Sequence, residues 1–121
     1  MDEIDILQAE VLRALAHPRR VQILHRLADR PTGVAALARD LGISQPNASQ
    51  HLAVLRASGL VEVDRNGREA CYRLADPDVM VACRLMRGVL ERRFGRLAGA
   101  LLPSGLSSSP EVLTDGPTAA R

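Results

Sequence analysis

Two helical patterns meet at residues 42–44 with almost no chain between them. Gly42 suits the left-handed conformation that closes a helix, Ser44 is a preferred N-cap residue, and Pro46 is tolerated in a first turn. Because so short a connection brings two helices together at a steep angle, this spacing predicts a helix-turn-helix. The apolar residues that repeat at helical spacing on the two sides of the junction are Val34, Leu37, Ala38, Leu41, Ala48, Leu52 and Leu55.

The other face of the second helix carries small polar groups. Its residues are Gln45, Pro46, Ser49, Gln50, Ala53 and Arg56. Glutamine pairs with adenine, serine suits several bases, and apolar atoms contact the thymine methyl group, so this face suits the major groove of DNA. An ordinary solvated helix face has a similar composition, and the pattern alone leaves both interpretations open.

Two more helices are expected before this pair. Apolar residues at helical spacing predict a first helix over residues 3–15. Pro18 interrupts that pattern and is expected to begin a second helix, which ends before Pro31. Thr32 is then predicted to be the N-cap of the helix that leads into the short connection.

After Gly59 the apolar residues alternate, as is typical of strands. The two alternating segments flank Asn66-Gly67, and both of these residues tolerate the positive φ of a type I′ hairpin turn. A β-hairpin directly after a helix-turn-helix is a wing. Arg65 and Arg68 flank its tip, where they would reach phosphate or the minor groove; charged residues that protect an exposed hairpin edge are the alternative.

A long helix is expected to follow the hairpin, with Asp76 as its cap and Pro77 as its first residue. Its apolar stripe contains Val79, Cys83, Met86, Leu90, Phe94, Leu97 and Leu101. A monomer with so few helices cannot cover this stripe and that of the first helix, so we expect the terminal helices to pair across a twofold dimer axis. Residues 103–121 are rich in Ser, Pro, Gly and Thr, and we expect a disordered tail there after a folded domain of residues 1–102.

The composition supports a mainly helical fold with one small hairpin. Aromatic residues make up 2% of the chain, so Leu, Val, Ile and Ala must fill the core. Residues 11–102 contain 15 arginines and 8 acidic residues, and this net charge of +7 favours a polyanion such as double-stranded DNA as partner. All 16 basic residues are arginine, which a GC-rich genome explains as well as phosphate binding does.

Several classes of protein are not expected. The sequence has no apolar run of membrane length and no secretory pattern, so we expect a cytoplasmic protein without a membrane partner. Two cysteines are too few for a disulfide scaffold. An enzyme is not expected either, since there is no phosphate-cradling glycine loop and no grouping of a nucleophile with a base.

Three separated motifs together resemble the ArsR/SmtB family of bacterial winged-helix repressors. They read LRALAHPRRVQIL at residues 12–24, LGISQPNASQHLAVLRASGLV at 41–61 and GREACYRL at 67–74. The resemblance covers about residues 5–101 and implies a homodimer that represses transcription from a palindromic operator and releases it when an effector binds. The DNA-binding residues predicted from the pattern and the resemblance are Ser44, Gln45, Pro46, Asn47, Ser49, Gln50, Arg56, Arg65 and Arg68.

The histidines are expected to have structural roles. His51 also lies where the family has a histidine, but it turns toward the apolar side of its helix, so we expect a structural hydrogen bond rather than a base contact. His17 is expected at a helix junction and His25 on the surface, neither with a companion at ligand spacing in the sequence.

The effector is left open, because the sensory part departs from the family's known patterns. Residues 33–37 lack the Cys-x-Cys of thiolate-sensing members. Asp76 and Asp78 match the first half of the zinc site on the last helix, but Val89 and Arg92 occupy the second half. The remaining weak metal candidates are Asp76, Asp78, Cys71 and Cys83, and simple packing explains both cysteines as well.

Two alternative functions remain on the sequence alone. One is a winged-helix module that acts through protein contacts within a hetero-oligomer. The other is a redox or soft-metal sensor that uses the thiols of Cys71 and Cys83.

Overall fold

The computed structural model describes residues 1–65 and 69–101, with the side chains of its last helix as far as residue 95. Within these residues, five helices and three short strands follow one another. They are α1 (Glu3–Leu15), α2 (Pro18–Asp29), β1 (Thr32–Gly33), α3 (Val34–Leu41), α4 (Gln45–Ala57), β2 (Val61–Asp64), β3 (Cys71–Leu74) and α5 (Asp78–Leu101). The order confirms a mainly helical winged helix-turn-helix, with one strand more than expected.

The helix boundaries follow from local backbone chemistry. Pro18 is the first residue of α2, and the imidazole of His17 provides its N-cap acceptor. Gly42 ends α3 in the left-handed conformation, with φ 68° and ψ 34°. Because α4 begins at Gln45, the two helices are joined by residues 42–44 alone, which confirms the predicted helix-turn-helix.

The predicted N-cap role of Thr32 is wrong. Thr32 and Gly33 form a third strand, in which Thr32 pairs with Tyr72 and Gly33 with Cys71. Gly33 therefore stands at the N-cap of α3 without a side-chain cap, while the hydroxyl of Thr32 donates to the carbonyl of Arg30 at 2.9 Å. So short a strand shows no alternation of apolar residues, and no sequence period signals it.

The hairpin is confirmed, but its strand register differs from that of a two-residue turn at Asn66-Gly67. Such a turn would pair Val63 with Ala70, whereas Val63 pairs with Tyr72. A shift of two residues keeps every side chain on its predicted face. On its other edge, β3 also pairs with β1. The predicted turn itself lies outside the described residues.

The chain divides into two compact units, Met1–Pro77 and Asp78–Arg121. In the first unit, α1, α2, α3, α4 and the sheet enclose an aliphatic core, as the low aromatic content predicts. Tyr72 lies half-exposed on β3 and is not part of it. The buried residues of this core are Ala14, Ile23, Leu24, Leu27, Leu37, Ala38, Leu41, Ala48, Leu52, Leu55, Leu60 and Val61.

The second unit contains α5, which begins at Asp78, one residue later than predicted. Much of its apolar surface faces outward. The exposed large apolar residues of this helix are Val81, Leu85, Met86, Val89, Leu90 and Phe94. No described helix is both long and apolar enough to cross a membrane. The predicted tail at residues 103–121 lies outside the described residues.

Candidate nucleic-acid interface

The interface begins with the helix α4, whose two ends are fixed by serine hydroxyls. At its start, the Ser44 hydroxyl accepts a hydrogen bond from the backbone N–H of Asn47 at 3.2 Å. At its end, the Ser58 hydroxyl donates to the carbonyl of Leu55 at 2.9 Å. Gly59 follows with φ 81°, so the chain leaves the helix sharply and enters β2.

One face of α4 is anchored in the core of the first unit. Ala48, Leu52 and Leu55 are completely buried, at 0% exposure. They pack where α4 meets α2, α3 and β2. Because these residues fix the rotation of the helix about its axis, the remaining faces of α4 have a defined direction.

The outward surface of α4 carries the predicted base-reading groups. Every predicted site residue on this helix and its cap is exposed: Ser44, Gln45, Pro46, Asn47, Ser49, Gln50 and Arg56. Val54, which the sequence prediction did not include, is also 41% exposed. An exposed valine among amides and hydroxyls adds a methyl surface of the kind that contacts thymine. The surface thus combines hydrogen-bonding groups with apolar ones, and it carries a cation at its C-terminal end.

The wing contributes a second positive position. Arg65 is exposed directly after β2, whereas Arg68 lies outside the described residues. On the hairpin itself, Arg73 donates to Glu62 across the two strands at 2.8 Å. Arg73 is therefore engaged in an exposed ion pair, and Arg65 is a second exposed cation of the wing.

His51 turns away from the outward surface, as expected from the sequence. It is half-buried, and its Nδ1 lies 3.5 Å from the Nη1 of Arg20. Its ring centroid lies 4.5 Å from that of His17, a contact that the sequence analysis did not predict. The two histidines are far apart in the sequence, and no spacing rule would have joined them.

The residues considered as sensors show no assembled metal site. No group of three or more metal-ligating side chains occurs in the described part of the chain. Asp76 and Asp78 are exposed at the start of the last helix, and Cys71 is half-buried on β3. Burial raises the pKa of the Cys83 thiol, which disfavours the reactive thiolate.

Comparison with known proteins identifies the family. The model of the arsR family of bacterial regulatory proteins matches residues 17–63, which include the whole helix-turn-helix. The uncharacterized HTH-type transcriptional regulator Rv0081 of Mycobacterium tuberculosis is 40% identical over 87 residues, which cover 71% of this chain and 76% of that protein. The chain belongs to the arsR family. The HTH-type transcriptional repressor SmtB of the same organism is 47% identical over 74 residues, or 60% of this chain and 55% of the repressor.

Solved structures agree with this membership. The crystal structure of M. tuberculosis Rv0081 matches with a TM-score of 0.72 and 35% identity, covering 81% of this chain and 99% of that one. The homodimeric winged helix-turn-helix DNA-binding domain of Mb0332 from Mycobacterium bovis, solved by NMR, matches with a TM-score of 0.70 and 36% identity. That match covers 76% of this chain and 86% of the domain, so the arsR-family fold extends beyond the helix-turn-helix.

Proposed function

We propose that this arsR-family protein is a sequence-specific repressor that binds double-stranded DNA as a homodimer, with α4 as the recognition helix in the major groove. The proposal rests on the two kinds of surface that α4 presents. One face has three residues at 0% exposure in the core, and the other faces expose small polar groups. The named relatives are transcriptional regulators, which supports a regulatory rather than an enzymatic role. Such a protein acts in the cytoplasm, where bacterial DNA lies.

The exposed side chains divide into two kinds of contact. Gln50, Ser49 and Gln45 have the donors and acceptors that read base edges. The exposed Arg56 and Arg65, with Arg68 expected from the sequence, supply charges for phosphate, which position the protein without reading sequence. Specificity therefore depends on the recognition helix, and general affinity depends on the arginines.

Apolar surfaces on the terminal helices support the homodimer. α1 exposes Ile4, Ile6, Leu7 and Leu12, and α5 exposes its own apolar row, including Phe94 at 52%. Apolar surface of this extent on a soluble protein marks an interaction site. The M. bovis relative is described as homodimeric, and a twofold dimer presents two recognition helices to a palindromic operator.

The test of base reading uses two alanine variants and a DNA site enriched from random-sequence duplexes. Gln50→Ala should reduce the discrimination between that site and a scrambled duplex by about 1–3 kcal/mol. Arg65→Ala should weaken binding to both duplexes equally and lower the slope of log K against log salt by about one. Fluorescence anisotropy measures both quantities. Equal losses of discrimination in the two variants would contradict this division.

The test of the dimer uses matched substitutions on α5. Leu90→Glu places a charge in the exposed apolar row, whereas Arg84→Glu places the same residue at an exposed polar position of the same helix. Sedimentation equilibrium should give a monomer for the first variant and a dimer for the second. A dimer in both variants would show that this surface does not mediate association.

A further inference from the structure

Three helices of the first unit meet at a cluster that contains His17, Arg20 and His51. The two imidazole rings lie with their centroids 4.5 Å apart and are tilted by 57°. Arg20 on α2 donates from Nε to the carbonyl of Ala14 at the end of α1, and its Nη1 faces His51 on α4. The cluster therefore joins α1, α2 and the recognition helix through side-chain contacts.

The hydrogen bonds define where each neutral ring carries its proton. The backbone N–H of Arg19 donates to His17 Nδ1 at 3.1 Å, and the guanidinium of Arg20 faces His51 Nδ1 at 3.5 Å. A peptide N–H and a guanidinium have only donors to offer, so both Nδ1 atoms accept. Each neutral ring therefore has its hydrogen on Nε2, and a second proton has to enter at Nδ1.

Protonation would oppose both contacts. At His17 it converts the N-cap acceptor of α2 into a donor that faces another donor. At His51 it places a positive ring against the Arg20 guanidinium, at the limit of hydrogen-bond distance.

The positive neighbours that act on the two rings are Arg20 and Arg19, and His17 also acts on His51. Burial, followed by these positive neighbours, lowers the pKa of His17; burial, followed by His17, Arg20 and Arg19, lowers that of His51.

We propose that His17, Arg20 and His51 form a proton-sensitive junction that holds the recognition helix against α1 and α2 at neutral pH and loosens in acid. The effect on DNA rests on the proposed function, whereas the effect on stability does not. Protons are thus an input to the DNA-binding unit that needs no metal and no thiol.

The sign of the effect follows from linkage. A histidine whose pKa is lowered by folding binds protons less well in the folded than in the unfolded chain, so acid favours unfolding. The stabilisation is complete above the unfolded pKa of about 6.5 and declines as pH falls below it. For each such proton the unfolding constant rises by at most about tenfold per pH unit, and half-buried rings give less than this ceiling.

The experiment follows the histidine resonances of the full-length chain by NMR from pH 8 to pH 5 at constant ionic strength. The chain has three histidines, and His17→Asn, His51→Gln and His25→Gln assign them. Asparagine keeps an N-cap acceptor at position 17, and glutamine keeps an acceptor for Arg20 at position 51. We expect both cluster rings to titrate below pH 6.5, together with amide shifts in α4.

Urea unfolding and DNA binding complete the test. Wild type and His25→Gln should lose stability between pH 7 and pH 5, and the double variant His17→Asn/His51→Gln should lose less. The ratio of affinities for the enriched and scrambled duplexes should fall over the same range in wild type, since recognition needs a fixed α4. If the double variant does not fold, the same measurements are made on His17→Asn and His51→Gln separately.

The outcomes separate the two proposals. Titration of both rings at or above pH 6.5, or an equal acid loss of stability in wild type and the double variant, would overturn the junction. A smaller acid loss of stability in the double variant than in wild type, without any preference of wild type for the enriched duplex at pH 8, would support the junction and overturn the proposed function. A sequence preference that does not change with pH in wild type would show that the junction has no control over DNA recognition.

Discussion

Leu52 is one of the three completely buried residues that fix the orientation of α4. Its side chain is completely buried, and its replacement by alanine removes three carbon groups, two methyls and the methine that carries them, from the contact of α4 with the core. At about 0.8 kcal/mol for each buried group, the transfer loss is about 2.4 kcal/mol, and the cavity raises the total to about 3–5 kcal/mol. For a domain of this size, such a loss lowers the Tm by at least about 12 °C.

The assay is urea and thermal unfolding at one fixed protein concentration, because association shifts apparent stability. Val54→Ala is the matched control, since Val54 lies on the same helix and is 41% exposed. It should change the free energy of unfolding by less than about 0.5 kcal/mol, as alanine is the better helix former. Equal losses for Leu52→Ala and Val54→Ala would refute the assignment of the buried and outward faces of α4.

Three further predictions concern the caps and the thiols. Ser44→Ala should cost about 1 kcal/mol of unfolding free energy, whereas Ser44→Asp should retain the cap; an equal loss in urea titrations would rule out a cap contribution. Gly42→Ala should cost about 1–2 kcal/mol from its positive φ alone, because nothing lies within 4 Å of an added Cβ, and Gly42→Asn should cost less; a neutral alanine variant would contradict the strain argument. In Cys71→Ser, iodoacetamide at pH 8 should modify Cys83 more slowly than a free cysteine, since burial raises its thiol pKa, and a faster rate would indicate an activated thiol.

The parts of the fold that have a sequence period or a cap signal could be predicted. Gly42 and Ser44 predicted the helix-turn-helix. The helical spacing of apolar residues predicted the buried face of α4, which consists of Ala48, Leu52 and Leu55. The strand at Thr32 and Gly33 has no period and depends on pairing with a distant strand, so no local pattern could show it. The pairing of Val63 with Tyr72 likewise joins two strands, and the Asn66-Gly67 signal alone does not determine it.

The exposed α4 residues of the candidate interface could be predicted from the sequence, but the contact between His17 and His51 could not. Exposure of the predicted α4 side chains follows from helix periodicity once the apolar face is known. The contact of His17 with His51 arises only when α2 and α4 pack together. Proximity between residues on different elements is set by tertiary packing, and no spacing rule along the sequence predicts it.

Sequence-specific binding of DNA is tested by fluorescence anisotropy of the full-length protein at pH 7.5 against a duplex enriched from random sequences and a scrambled duplex, titrated with salt. We expect selection to enrich a palindromic site that binds at least about a thousandfold more tightly than the scrambled duplex, and we expect the affinity for both duplexes to fall steeply with salt. Failure to enrich any site, or equal and weak binding to both duplexes that salt does not change, would contradict a sequence-specific repressor. That second result would favour a winged-helix module that acts through protein contacts.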